Sequence, residues 1–86
     1  MPQPARHIVA VRRDASGRVT DLVLLRENGT KVVVGVDEAI RAQKAQEYVF
    51  FVTREGEAML ASIKRVGGNV VVSGAFGIEV DLPEET

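Results

Sequence analysis

Val36-Asp37-Glu38-Ala39-Ile40-Arg41-Ala42-Gln43-Lys44-Ala45 is the one interval of this chain that follows a glycine, holds no turn residue and is rich in helix formers. It predicts a single helix. Asp37 and Glu38 stand at its positive end and Arg41 and Lys44 toward its negative end, each favourable to the helix dipole. Asp37 and Arg41 are an i to i+4 pair expected to add a few tenths of a kcal/mol. Val36, Ala39 and Ile40, extended by Gln43, form its only apolar stripe.

Outward from this interval the chain is punctuated by turns. Asp14-Ala15-Ser16-Gly17, Glu27-Asn28-Gly29-Thr30, Arg54-Glu55-Gly56-Glu57 and Val66-Gly67-Gly68-Asn69 each join Gly to Asp, Asn or charged neighbours, which is hairpin chemistry. Asn28-Gly29-Thr30 also matches a glycosylation acceptor, and the turn is the simpler reading. The segments between the turns, 7–13, 18–26, 31–35, 47–54 and 69–73, are rich in the chain's fifteen valines. Branched side chains fit pleated, half-buried surfaces, so these are strands. Glu57 to Val66 stays open: Met59, Ile63 and Val66 recur at helical spacing, and Gly67 suits a helix end. As a strand, the same segment puts Met59, Ala61 and Ile63 on one face.

With 86 residues, 45% of them apolar and 27% charged, the composition is that of one soluble globular domain. Cysteine is absent, which excludes disulfides, thiolate zinc and a cysteine nucleophile. The apolar runs, of which Tyr48 to Val52 is the longest, are far too short for a membrane span. Met1-Pro2-Gln3-Pro4-Ala5-Arg6 lacks the pattern of a signal peptide, so the chain is expected in the cytoplasm. The net charge of −1 conceals an asymmetry. Residues 1–34 carry six Lys or Arg against three acids, a net +3, and residues 67–86 carry four acids and no base, a net −4.

The order of signals resembles a family of small bacterial proteins described only as a domain of unknown function. Ile8-Val9-Ala10-Val11-Arg12-Arg13-Asp14-Ala15-Ser16-Gly17-Arg18-Val19-Thr20 is similar to that family's opening hairpin, I-x-x-V-R-x-D-x-x-G-x-I-T. Asp37-Glu38-Ala39-Ile40 is like its helix entry, and Tyr48-Val49-Phe50-Phe51-Val52-Thr53-Arg54-Glu55-Gly56 like its next strand and turn. The resemblance spans roughly two-thirds of the chain and implies that 57–66 is a strand. It lends topology and no chemistry. The end departs from it: of the family's closing segment only Leu82-Pro83 is kept, and Val70-Val71-Val72-Ser73 and Gly77-Ile78-Glu79-Val80-Asp81 stand in its place.

Residues 7–82 are therefore expected to form an α+β domain of order β-β-β-α-β-β-β. Its twisted, mostly antiparallel sheet is flat or curled into a partial barrel, with one short helix. Residues 1–6 are expected to be a flexible arm and 83–86 an acidic tail. Ile78 to Leu82 alternates apolar and acidic residues and reads as a final edge strand stopped by Pro83. Gly74-Ala75-Phe76-Gly77 reads as a bend whose Phe76 packs inward.

Catalytic chemistry finds little to use. His7 is the only histidine, and none of Ser16, Ser62 and Ser73 has a base near it in sequence. Glu79 and Asp81 are a carboxylate pair at i, i+2 that would share one side of a strand, without a third ligand at fixed spacing. No phosphate-binding glycine motif occurs. The reading is of no enzyme, no cofactor and no metal.

Leu22 to Leu25, Val32 to Val34, Tyr48 to Val52 and Val70 to Val72 are apolar without alternation, as in strands covered on both sides. Five strands at ~4.8 Å make a sheet about 20 to 25 Å wide, and a ten-residue helix of ~15 Å cannot cover it twice. The left-over face predicts a protein-interaction module, foremost a homodimer, with Leu22, Leu24, Tyr48 and Phe50 toward the partner. On this expectation Leu24→Asp abolishes association and leaves the fold intact. The alternative is nucleic-acid binding by a basic stripe of Arg12, Arg13, Arg18 and Arg26 on the first hairpin, although Arg12 and Arg13 alternate across the strand.

Overall fold

The computed structural model describes residues 3–85. Met1 and Pro2 of the expected arm and Thr86 of the expected tail lie outside the described residues. The elements run β1 (Ala5–Arg13), β2 (Val19–Leu25), β3 (Lys31–Gly35), α1 (Val36–Lys44), β4 (Val49–Arg54), β5 (Glu57–Leu60), β6 (Ser62–Val66), β7 (Asn69–Ser73) and a short 3-10 turn, Ala75–Gly77. The class is α+β, mostly antiparallel sheet with one helix, as the sequence predicts.

A five-stranded sheet has the order β3-β2-β1-β4-β5, and β6 and β7 form a separate hairpin. Neither closes into a barrel. All neighbours are antiparallel except β1 and β4, which pair in parallel through Ala5 with Val49, Arg6 with Phe50 and His7 with Phe51. The cause is the helix. It leaves β3 at one edge and returns the chain on the free side of β1, so β4 runs in the direction of β3; hairpins alone reverse direction at every step.

The segment 57–66 is a strand, yet it is divided at Ala61. Its first half pairs with β4 and its second with β7, and the Ala61 N–H donates to Phe50 O at 2.8 Å where the chain passes from one sheet to the other. Helical spacing loses here because both halves find a strand partner. At the β4–β5 turn Glu55 (φ 52°) and Gly56 (φ 84°) are both left-handed, the geometry of a two-residue hairpin turn.

Helix α1 buries Val36, Ala39 and Ala42. They meet Ile8, Val11, Leu22, Leu24, Phe50 and Val52 from the sheet and Ile63 and Val72 from the hairpin in a single core. Gln43 turns to β6 instead of extending the stripe. Asp37 does not pair with Arg41 either: it accepts from Arg65 Nε of β6 at 2.9 Å.

Two expectations about the chain ends are corrected. Ala5 and Arg6 belong to β1 and not to a flexible arm, because β4 offers them a parallel partner. The acidic tail is held along β1: Val11 N–H donates to Pro83 O and Glu85 N–H to Val11 O, both at 2.9 Å. The expected edge strand 78–82 is reduced to a bridge of Glu79 with Ser73 and a bond from Val80 N–H to Val72 O, because the segment then leaves β7 to reach β1.

Phe76 does not pack inward. It is fully exposed, with φ +60°, and the inward space is filled by Met59. A Cβ on Gly74 would lie 2.0 Å from Met59 Sδ, and the Ala75 N–H points to that sulfur at 3.2 Å. Only a glycine permits this approach without moving Met59.

Candidate interaction surfaces

Register and burial together fix which side of the five-stranded sheet each residue occupies. Ile8, Val11, Leu22, Leu24, Phe50 and Val52 face the helix and hairpin. The opposite side carries the alternate residues. Across the order β3-β2-β1-β4-β5 these are Val33, then Val23 and Leu25, then Ala10 and His7, then Phe51, then Leu60, joined by the pairs Val23 with Val33, Ala10 with Val23, His7 with Leu25, His7 with Phe51 and Phe51 with Leu60. Irregular pairing between Ile8 and Ala10 keeps both Ile8 and Val11 inward while His7 and Ala10 stay on the outer side.

Val33, Val23, Leu25, Ala10, Phe51 and Leu60 make an apolar patch on this side, bordered by Lys31 opposite Leu25 and by Arg12 opposite Asp21, and neither helix nor hairpin covers it. Val33 is 41% and Leu60 62% exposed, and Leu25, Ala10, His7 and Phe51 are half-buried. Val23 is the exception. It is fully buried yet outside the main core, in a depression lined by Val9, Ala10, Leu25 and Lys31 and by Pro83, Glu84 and Glu85 of the tail. The His7 ring stacks on Phe51 with centroids 5.5 Å apart. Its setting is aromatic packing on the outer side of the sheet.

Of the residues expected to meet a partner, Leu22, Leu24 and Phe50 are at most 3% exposed and lie in the core of the chain itself. Tyr48 is half-buried on the same inner side, under the guanidinium of Arg6 at 4.5 Å from its ring centroid and edge-on to Phe50 at 6.2 Å. The expectation picked the wrong side of the sheet. Continuous apolar runs tell that both sides are apolar, and the parity that covers one side is set by where helix and hairpin land. On the opposite side Val33 and Leu60 are exposed and Phe51 is half-buried, and period-two parity from Phe50 places Phe51 there.

The four arginines of the first hairpin do not form one stripe. Arg12 pairs with Asp21 and Arg13 with Val19, across an irregularity in the β1–β2 register, and the two side chains take separate partners. Arg12 Nη2 is in an ion pair with Glu85 at 2.8 Å, and Arg13 Nη1 donates to Gly17 O at 2.9 Å. Arg18 stands beside them at the turn. Arg26 lies past the other end of the seven-residue β2, about 26 Å from Arg18 at ~3.3 Å per residue.

The Asp14 carboxylate organises the first turn. Its Oδ1 accepts from Ser16 Oγ at 2.6 Å, Ser16 N at 2.9 Å and Arg18 N at 3.1 Å. The Ser16 hydroxyl first, then the Arg18 backbone N–H, hold its pKa below the usual 3.8. Glu79 and Asp81 line a small cavity of about 90 Å³ together with Arg13. Among the described residues no three His, Asp or Glu side chains are grouped closely enough to hold a metal ion. Among the same residues no helix is long and apolar enough to cross a membrane.

No family model, curated protein or solved structure matches this chain.

Proposed function

We propose that this protein is a non-enzymatic interaction module that forms a homodimer by packing the outer faces of two five-stranded sheets against each other. The observation that carries the reading is an apolar patch on the outer side of the sheet, with Val33, Val23 and Ala10 in one cross-strand row and Leu25, His7, Phe51 and Leu60 in another, which neither helix nor hairpin covers. A sheet apolar on both faces needs two layers, and helix and hairpin supply one. A second copy supplies the other by presenting the same patch, as a two-fold interface requires. Small domains with thin cores gain the most from such burial.

Light scattering at micromolar and tenfold lower concentration tests this. The expected mass is twice 9.3 kDa. Leu60→Lys and Val33→Lys place a charge on exposed positions and are expected to return the mass to that of one chain with unchanged far-ultraviolet dichroism. A wild-type monomer at about 100 µM, a concentration that reveals interfaces weaker than roughly −6 kcal/mol, would refute the reading.

A further inference from the structure

Arg6, Arg26 and Arg41 reach one cavity from three separate places in the chain: the start of β1, the residue after β2 and the middle of α1. The cavity measures about 300 Å³ and lies between the helix and the inner side of the sheet. Leu24 and Phe50 of the core contribute apolar lining, and Tyr48 lies beside them.

Three positive side chains around one space repel each other. Among the described residues the ion pairs are Arg12 with Glu85 and Arg65 with Asp37, so none of the three cavity arginines is paired. Glu38 and Glu47 line the same cavity without pairing, which leaves three positive charges against two negative, a net +1. Arg6 is already oriented. Its Nη1 donates to Ala5 O at 2.9 Å, and its guanidinium lies over the Tyr48 ring. A guanidinium stacked on an aromatic face keeps its remaining in-plane N–H groups for a planar acceptor such as a carboxylate.

We propose that this cavity binds a small organic monoanion, a carboxylate borne on a planar apolar body. The carboxylate accepts from the guanidiniums and cancels the excess charge. Its apolar body lies against the half-buried Val32, Val34 and Tyr48, which a bare inorganic ion cannot use. A dianion would meet the uncancelled charge of Glu38 and Glu47. The site is on the side of the sheet opposite the proposed dimer face, so either reading can fail without the other.

The test is a titration of the full ¹⁵N-labelled chain with benzoate, followed through the amides of Leu24, Phe50 and Ala42. Benzamide serves as the neutral isostere and inorganic phosphate as the bare anion. Benzoate is expected to saturate with a Kd on the order of 1 to 10 mM, the range for a ligand of this size. Benzamide and phosphate are each expected to bind at least about tenfold more weakly, the loss of roughly one charge-assisted hydrogen bond. Arg26→Gln and Arg41→Gln, both at exposed positions, are expected to weaken benzoate by roughly tenfold with unchanged dichroism. No saturation by about 50 mM overturns the proposal, a concentration that populates even very weak complexes. Equal binding of benzamide or of phosphate, or shifts confined to other regions, overturns it as well.

Discussion

The side-chain amide of Gln43 forms both hydrogen bonds that a neighbouring strand would have given Ile63. Gln43 Nε2 donates to Ile63 O at 3.1 Å, and Ile63 N donates to Gln43 Oε1 at 2.8 Å. Two residues earlier on the same edge, the Ala61 N–H is satisfied by Phe50 O of β4. Beyond that point β4 turns away to β1, where Val49 N donates to Pro4 O. Helix α1 therefore continues the ladder with one side chain, and the buried Ile63 keeps its backbone paired as buried polar groups require.

Gln43→Ala is expected to lower stability by about 2 kcal/mol, because it removes two bonds and leaves a part-buried N–H and C=O without partners. For a domain of this size that is a fall in Tm of roughly 8 to 16 °C. Thermal denaturation followed by circular dichroism measures it. A change within a degree or two would mean that water replaces the amide at no cost.

Leu24→Asp is expected to unfold the chain and not merely to disperse an oligomer, because Leu24 is 3% exposed and packs in the core. Leu24→Ala is expected to cost about 2 to 5 kcal/mol by cavity formation. Urea denaturation of the Ala variant, with dichroism of the Asp variant, checks both.

Phe76→Gly is expected to leave stability unchanged or raise it by up to about 1 kcal/mol, the reverse of the effect of removing a core aromatic. Phe76 holds a left-handed φ of 60° and is fully exposed, so the glycine loses no packing and relieves the backbone. A drop in denaturation midpoint would place Phe76 in contact with the rest of the chain.

Asp14 gives the fold a pH dependence of definite sign. Its folded pKa is held below 3.8 by Ser16 and Arg18, so its contribution is complete above the unfolded value and is lost as pH falls through the folded one. Carboxyl titration by NMR should place the Asp14 midpoint below 3.8. Ser16→Ala should move it upward, since that hydroxyl is the largest cause. A midpoint unaffected by Ser16→Ala would contradict the hydrogen-bonded turn.

The one helix, the β character of the rest and the hairpin turns are legible in the sequence because they rest on local chemistry. Helix formers between Gly35 and Ala45, valine-rich segments and Gly-containing turns act within a few residues. The division of 57–66 at Ala61, the parallel pairing of β1 with β4, the attachment of Pro83 to Glu85 along Val11 and the outward turn of Phe76 were decided by the tertiary structure. Each depends on a partner distant in sequence: β7, the crossover of α1, the free edge of β1 and Met59. The same division holds for the candidate surfaces. That the sheet would have one apolar side too many follows from its unbroken apolar runs, whereas the choice of Phe51 over Phe50 as the uncovered residue does not. Period-two alternation names two faces, and only the landing of α1 and the β6–β7 hairpin on one of them tells core from surface.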